Sequence, residues 1–143
     1  MQKTTNPISK LINFFKKKRL DSQRFDTLID KSVEITGDVT FDGNMIINGI
    51  VRGNITDKSE KNTSAVIIGG EIYGSVTADF VIISGFVMGD VTAKQTINIK
   101  KSGSVHGNIA YQNLQIEEGA VISGFLKKHL ELNIPIKSDS ELE

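Results

Sequence analysis

The sequence predicts an all-β protein: a right-handed parallel β-helix, or solenoid, of about six coils with short non-repetitive tails at both ends. Three observations predict it. A glycine-marked string recurs along the middle of the chain, apolar residues keep a period of two inside each recurrence, and the turn signals of a hairpin meander are missing.

The string is Gly-x-(Val/Ile)-x-Gly-x-(Val/Ile). It occurs at Gly49 to Ile55, Gly70 to Val76, Gly85 to Val91 and Gly103 to Ile109. Val33 to Val39 and Ala120 to Leu126 are two further copies that lack the first glycine. The second glycine falls at positions 37, 53, 74, 89, 107 and 124, so the spacings are 16, 21, 15, 18 and 17 residues. Self-similarity at such a period is the mark of a repeat architecture.

Inside the units, one face carries Met45, Ile47, Val51 and Ile55, then Val66, Ile68, Ile72 and Val76. The set continues with Val81, Ile83, Val87 and Val91, then Ile97, Ile99, Val105 and Ile109, and ends with Leu114, Ile116, Ile122 and Leu126. Alternation with period two is a strand pattern, and β-branched residues suit a pleated, buried face. A meander would need Asn-Gly or Asp-Gly turns at each reversal, and they do not recur at that spacing. Short strands joined at glycine corners therefore close into coils, each of which is stabilised by its neighbours. Strand-to-strand crossovers favour the right hand. Six coils at about 4.8 Å per rung make a rod roughly 29 Å long. The longest spacing contains Asp57 to Ser64, wholly polar, which reads as a loop pushed out of one corner with the inward face apolar throughout. The expected organisation is an N-terminal tail over 1–30, the β-helix over 31–126 and a flexible C-terminal tail over 127–143.

Composition narrows the class. Lysine plus arginine equals aspartate plus glutamate at 17 each, so bulk charge does not point to nucleic acid. With no cysteine, disulfide frameworks and thiolate metal sites are excluded. No apolar run reaches the roughly 20 residues of a membrane-spanning helix, and no signal-peptide core is legible at the N-terminus.

The corners Gly53-Asn-Ile-Thr56, Gly74-Ser-Val-Thr77, Gly89-Asp-Val-Thr92 and Gly107-Asn-Ile-Ala110, with the pairs Thr77-Ala78 and Thr92-Ala93, resemble those of the bactofilin family of polymer-forming bacterial cytoskeletal proteins. The resemblance spans about residues 31–126. It implies a right-handed β-helix with a triangular core that polymerises end to end without nucleotide or other cofactor. It also implies a cytoplasmic protein acting at the inner face of the bacterial cell membrane in cell shape or envelope organisation, with peptidoglycan-remodelling enzymes or other envelope proteins as possible partners. The polar insertion departs from the pattern.

Open solenoid ends present strand edges ready to pair with another chain. No capping helix is legible at either end, so the expected polymerisation interface comprises Val33, Ile35 and Phe41 at one end and Ile122, Phe125 and Leu126 at the other. Ile46, Ile67 and Ile82 share one outward slot, followed by Asn98 and Gln115, while Ile50 and Phe86 share another. They predict an exposed apolar strip for lateral contact, with Ile46, Ile67, Ile82 and Phe86 as its members.

In the N-terminal tail Ile8, Leu11, Ile12 and Phe15 lie on one face of a helix, with Phe14 alongside and the basic run Lys16, Lys17, Lys18 and Arg19 after it. That composition is an interfacial membrane anchor; the alternatives are a helix that docks on the rod's own apolar strip and a disordered tail. An enzyme is weighed against. The rival is a hexapeptide-repeat acyltransferase, trimeric and dependent on a histidine base. His106 shares its slot with Arg52, Tyr73 and Met88 and reads as a surface residue, and His129 lies beyond the last coil. Asp38 and Asp90 read as corner residues bonding local backbone. No catalytic, metal or cofactor residue is expected.

Overall fold

The structure is a computed structural model that describes residues 26–129. Among the described residues, sixteen strands, all parallel to their neighbours, wind into six coils whose strands stack into three faces. The first face carries β1 (Thr27–Ile29), β4 (Asn44–Ile47), β7 (Ala65–Ile68), the second half of β9 (Val76–Ile83), the second half of β11 (Val91–Ile99) and β14 (Asn113–Ile116). The second carries β2 (Glu34–Thr36), β5 (Ile50–Arg52), β8 (Glu71–Tyr73), β10 (Phe86–Met88), β12 (Ser104–His106) and β15 (Val121–Ser123). The third carries β3 (Val39–Phe41), β6 (Ile55–Asp57), the first halves of β9 and β11, β13 (Ile109–Tyr111) and β16 (Leu126–Lys128). β9 and β11 turn a corner without breaking, so the first and third faces form one hydrogen-bonded sheet and the second face a separate one.

The period-two residues fill the interior. Ile35, Val51, Ile72, Val87, Val105 and Ile122 pair in unbroken register down the centre of the second face. The four middle members are fully buried, as are Ile47, Ile68, Ile83 and Ile99 from the first face. A hydrogen-bonded rung every coil leaves no room for side chains at the tightest corner. A Cβ on Gly89 would sit 2.1 Å from the Gly74 carbonyl oxygen, and one on Gly107 the same distance from that of Gly89. The repeated glycine is therefore a stacking requirement.

The residue after that glycine ties one coil to the next. Asp38 Oδ1 accepts from the Asn54 amide at 2.9 Å, and Asn54 Oδ1 accepts from the Ser75 amide at 2.9 Å. Higher up, Asp90 Oδ1 accepts from the Asn108 amide at 2.9 Å and Asn108 Oδ1 from the Phe125 amide at 3.0 Å. Asp38 and Asp90 thus bond the backbone of the following coil, not the local backbone that the sequence reading assigned to them. The following corner lies about 4.8 Å away, within reach of a two-carbon side chain.

Three other expectations change. The strand Thr27–Ile29, placed by the sequence reading in the tail, pairs with Met45 to Ile47 and buries Ile29, so coil one is complete from residue 27. At the other end the last strand runs to Lys128. The interior is also not apolar throughout. Asp57, Ser64 and Asp79 are buried at the corner where the insertion leaves and rejoins the rod. Ser64 Oγ lies 2.5 Å from Asp57 Oδ2 and 2.9 Å from Asp79 Oδ2, the Ser64 amide donates to Asp79 Oδ2 at 3.0 Å, and the Asp79 amide donates to Ser64 Oγ at 3.0 Å. Lys94 Nζ, at a register shift in β11, reaches Asp57 Oδ1 at 3.1 Å and Asp79 Oδ1 at 4.0 Å. The polar ends of the insertion are drawn inward because two buried carboxylates need donors. Lastly, Ile67 and Ile82 point outward but are buried, at 8% and 2% exposure, so the strip they form with Ile46 is not open surface.

Candidate functional site

The two ends of the rod differ from its middle in one respect: their strands pair on one side only among the described strands. At the C-terminal end this leaves inward-facing residues uncovered. Leu126 pairs with the fully buried Ile109 yet is 44% exposed, and Ile116 pairs with the fully buried Ile99 yet is 42% exposed. Both occupy core positions that lack only a seventh coil above them. Phe125 stands where the other corners carry Asp, Asn or Ser; its own amide receives the last rung of the corner ladder, and its side chain is 78% exposed. Ile122 is half-buried against the core. At the N-terminal end Val33 is exposed and Ile35 half-buried, whereas Phe41 is buried and belongs to the core of its own coil. Gly37 has open space where a Cβ would go, unlike its equivalents in later coils. Ile116 was missed as an end residue, although its inward place in the last coil was legible.

The last coil is fastened by charge. Lys100 Nζ lies 2.6 Å from Glu117 Oε2, and Glu117 Oε1 accepts from the Lys101 amide at 3.0 Å. The hydrogen bond to Lys100, followed by that from the Lys101 amide, holds the Glu117 carboxyl below its ordinary value.

The second face carries a ladder of rings that the sequence reading did not assemble. The Arg52 guanidinium sits 4.9 Å from the Tyr73 ring centroid, Tyr73 and Phe86 lie 5.8 Å apart, and Phe86 and His106 lie 5.3 Å apart. Glu34 hydrogen-bonds Arg52 at 2.5 Å and holds its guanidinium pKa up, and the Tyr73 hydroxyl donates to Glu71 at 2.8 Å, which holds the phenol up. Phe86, expected in a lateral strip with Ile46, Ile67 and Ile82, therefore belongs to a different face from them. His106, the acyltransferase reading's candidate base, has Ser104 Oγ at 3.1 Å on the same strand and the Phe86 ring beside it. That places it on the outer surface among stacking partners. Among the described residues no group of three or more His, Asp or Glu side chains is placed to hold a metal ion, and no helix is long and apolar enough to cross a membrane. The residues expected from the sequence to target a membrane, Ile8, Leu11, Ile12, Phe14, Phe15, Lys16, Lys17, Lys18 and Arg19, lie outside the described residues.

The family model for bactofilins, described as polymer-forming cytoskeletal, matches residues 27–127. Bactofilin BacO of Myxococcus xanthus is 29% identical over 99 residues, which are 69% of this chain and 76% of that protein. Bactofilin BacP of the same organism is 27% identical over 99 residues, 69% of this chain, so the chain spans 40% of that relative's length. The rod superposes on the subunit of Thermus thermophilus bactofilin double helical filaments, solved by electron cryo-microscopy, with a TM-score of 0.65 and 26% identity over 72% of this chain and 99% of that one. It also superposes on the cytoskeletal bactofilin BacA, solved by solid-state NMR, with a TM-score of 0.58 and 30% identity over 73% of this chain and 96% of that one. A six-coil parallel solenoid, matched by the family's model over residues 27–127, belongs to the bactofilin family of polymer-forming cytoskeletal proteins.

Proposed function

We propose that this chain is a non-enzymatic scaffold whose rods stack end to end, without nucleotide, into filaments at the inner face of the cytoplasmic membrane. The observation that carries the reading is the uncovered apolar end: Leu126 and Ile116 sit in core positions but are 44% and 42% exposed. Completing the burial of two such half-exposed side chains would contribute about 1 kcal/mol each, and the edges of β14, β15 and β16 that pair with no described strand add directional hydrogen bonds. The similarity to subunits of filaments supports the same reading. Val33, Ile35, Ile122, Phe125 and Leu126 line the two ends, and Phe125, whose amide ends the corner ladder while its side chain stays exposed, is the side chain that a second rod would meet first. Replacing Phe125 with arginine places a charge in a desolvated contact. Sedimentation and negative-stain microscopy should then show folded, short species; filaments like those of the parent would sink the assignment.

The N-terminal segment supplies the membrane contact, its basic run Lys16 to Arg19 attracting anionic lipid at about 1 kcal/mol per residue and the polymer multiplying the weak single contact. Deleting residues 1–24 should abolish binding to anionic vesicles. Cell shape or envelope organisation, through recruited wall-remodelling enzymes or other envelope proteins, is the proposed role of the filament.

A further inference from the structure

The outward column of the first face runs Leu28, Ile46, Ile67, Ile82, Asn98 and Gln115 in continuous register. Its exposure does not follow from the rod alone. Leu28 at the N-terminal edge is open and Ile46 half-buried, but Ile67 and Ile82 are buried while standing outside the core cluster. A side chain on the outer face of a flat sheet is flanked by its column neighbours and keeps its top in solvent, unless something lies across it. Every described strand belongs to one of the three faces, so no described strand lies across this one. The burial extends to Asn98, whose Oδ1 is buried and has no hydrogen-bond partner among the described residues, although its Nδ2 donates to Gln115 at 3.0 Å. A buried apolar strip on an outer face, ending at a buried carbonyl with no donor among the described residues, describes a docking site for an amphipathic segment.

We propose that the occupant is the chain's own N-terminal segment, with Ile8, Leu11, Ile12 and Phe15 seated on Ile46, Ile67 and Ile82. Dimensions fit. Three rung spacings from Leu28 to Ile82 measure about 14 Å, and residues 8–15 as a helix measure roughly 11 Å. The chain enters the rod at β1, on the edge of this same face, with Leu28 directly beside Ile46. Residues 16–26, at about 3.3 Å each when extended, have ample reach to return from the far end of the strip to Thr27. The strip ends where the slot turns polar at Asn98, so it accommodates an apolar face of about two helical turns. A polar group of the docked segment would satisfy Asn98 Oδ1.

The consequence is a choice. The same four apolar residues form the lipid-facing side of the proposed membrane anchor, and one face cannot occupy both the strip and a bilayer. Docking stores the anchor and vesicle binding must draw it off. This competition rests on the membrane reading above; the docking itself does not.

The absence of cysteine from the chain permits a direct test. In the full chain carrying Leu11→Cys and Ile67→Cys, mild oxidation should yield a cross-linked species that migrates as a monomer on a non-reducing gel. Cross-linked dimers alone would mean that a second copy covers the strip, and no cross-link would mean that the segment is elsewhere; either overturns the proposal. A second variant, Ile67→Asn with Ile82→Asn, uses the residue that the rod already carries at 98, so circular dichroism should report an intact fold. Hydrogen exchange of residues 8–15 should then rise to that of an unprotected peptide, and protection unchanged from the parent would also overturn the docking. If the segment is released in a tenth of parent molecules, affinity for phosphatidylglycerol vesicles should rise about tenfold in this variant. Equal binding by parent and variant refutes the competition. Binding by neither sinks the membrane reading while the cross-link still decides the docking.

Discussion

The buried corner at the insertion makes the sharpest energetic prediction. Asp57 and Asp79 are both buried, and Ser64 has a single hydroxyl proton to share between them. The shorter contact, 2.5 Å, assigns that proton to Asp57, while Asp79 is held by the Ser64 amide at 3.0 Å. Two carboxylates then face one ammonium, Lys94, at 3.1 and 4.0 Å. Replacing Lys94 with methionine keeps the stem and removes the charge. Removing one partner of a buried pair costs about 3–5 kcal/mol, but Nζ is partly exposed and water can replace some of it, so about 1–3 kcal/mol is expected here. At roughly 4 °C per kcal/mol for a chain of this size, the melting midpoint should fall by about 4–12 °C. Asp57→Asn has the opposite sign in the two backgrounds. Alone it removes the nearer ion pair and costs about 1 kcal/mol, whereas in Lys94→Met it removes the uncompensated charge and should restore at least half of the loss. Thermal melts of the four proteins, all carrying Phe125→Arg so that assembly does not intrude, provide the cycle. If Asp57→Asn costs the same in both backgrounds to within about 0.5 kcal/mol, the charge balance assigned to this corner is wrong.

Ile72, fully buried at the centre of the second face, should lose about 2–5 kcal/mol on replacement by alanine, read from urea denaturation. Gly89→Ala should be as damaging as a core truncation although it adds one methyl, because the Cβ meets a backbone carbonyl that cannot move without separating two coils; Ser75→Ala at the neighbouring position, whose side chain bonds Asn54 only through its hydroxyl at 3.1 Å, should cost less than 1 kcal/mol. The Glu117 carboxyl titrates below its ordinary value, so its contribution is complete above the ordinary glutamate range and disappears as pH falls through the lowered value. Exchange of the Lys101 amide, which donates to that carboxylate, should therefore accelerate in acid beyond the intrinsic trend, and Glu117→Gln should remove the acid transition.

Most of the fold was legible because its physics is periodic. The glycines that mark the tight corner and the β-branched residues between them gave the register of the second face from Ile35 to Ile122 without a gap. The misses fall where periodicity is silent. Thr27–Ile29 has no glycine corner to announce it, and only pairing with Met45 to Ile47 makes it a strand. Asp57 and Ser64 read as part of a polar loop, and Asp79 drew no reading; burial becomes tolerable only when Lys94, 15 residues beyond Asp79, supplies the counter-charge. The ring ladder of Arg52, Tyr73, Phe86 and His106 joins two outward columns on a diagonal that single-slot comparison does not see. Ile67 and Ile82 were placed correctly as outward, but their burial depends on what lies over the face and not on their own spacing. At the ends, inward placement of Ile116 and Leu126 was readable, and their exposure followed only from counting coils.

The corner ladder has an implication for length. Beside the backbone pairing, four of the five corner junctions join one coil to the next through a single side-chain oxygen and a single backbone amide, so no described rung of the ladder records the total number of turns. Excising residues 75–89 would join Gly74 to Asp90 and bring the Asp90 amide to Asn54 Oδ1, the acceptor that Ser75 now uses. The same excision removes Asp79 and leaves Asp57 facing Lys94 as a one-to-one pair. Subunit length in such a molecule is a modular quantity, open to change by whole turns while both ends, and whatever they join, stay as they are.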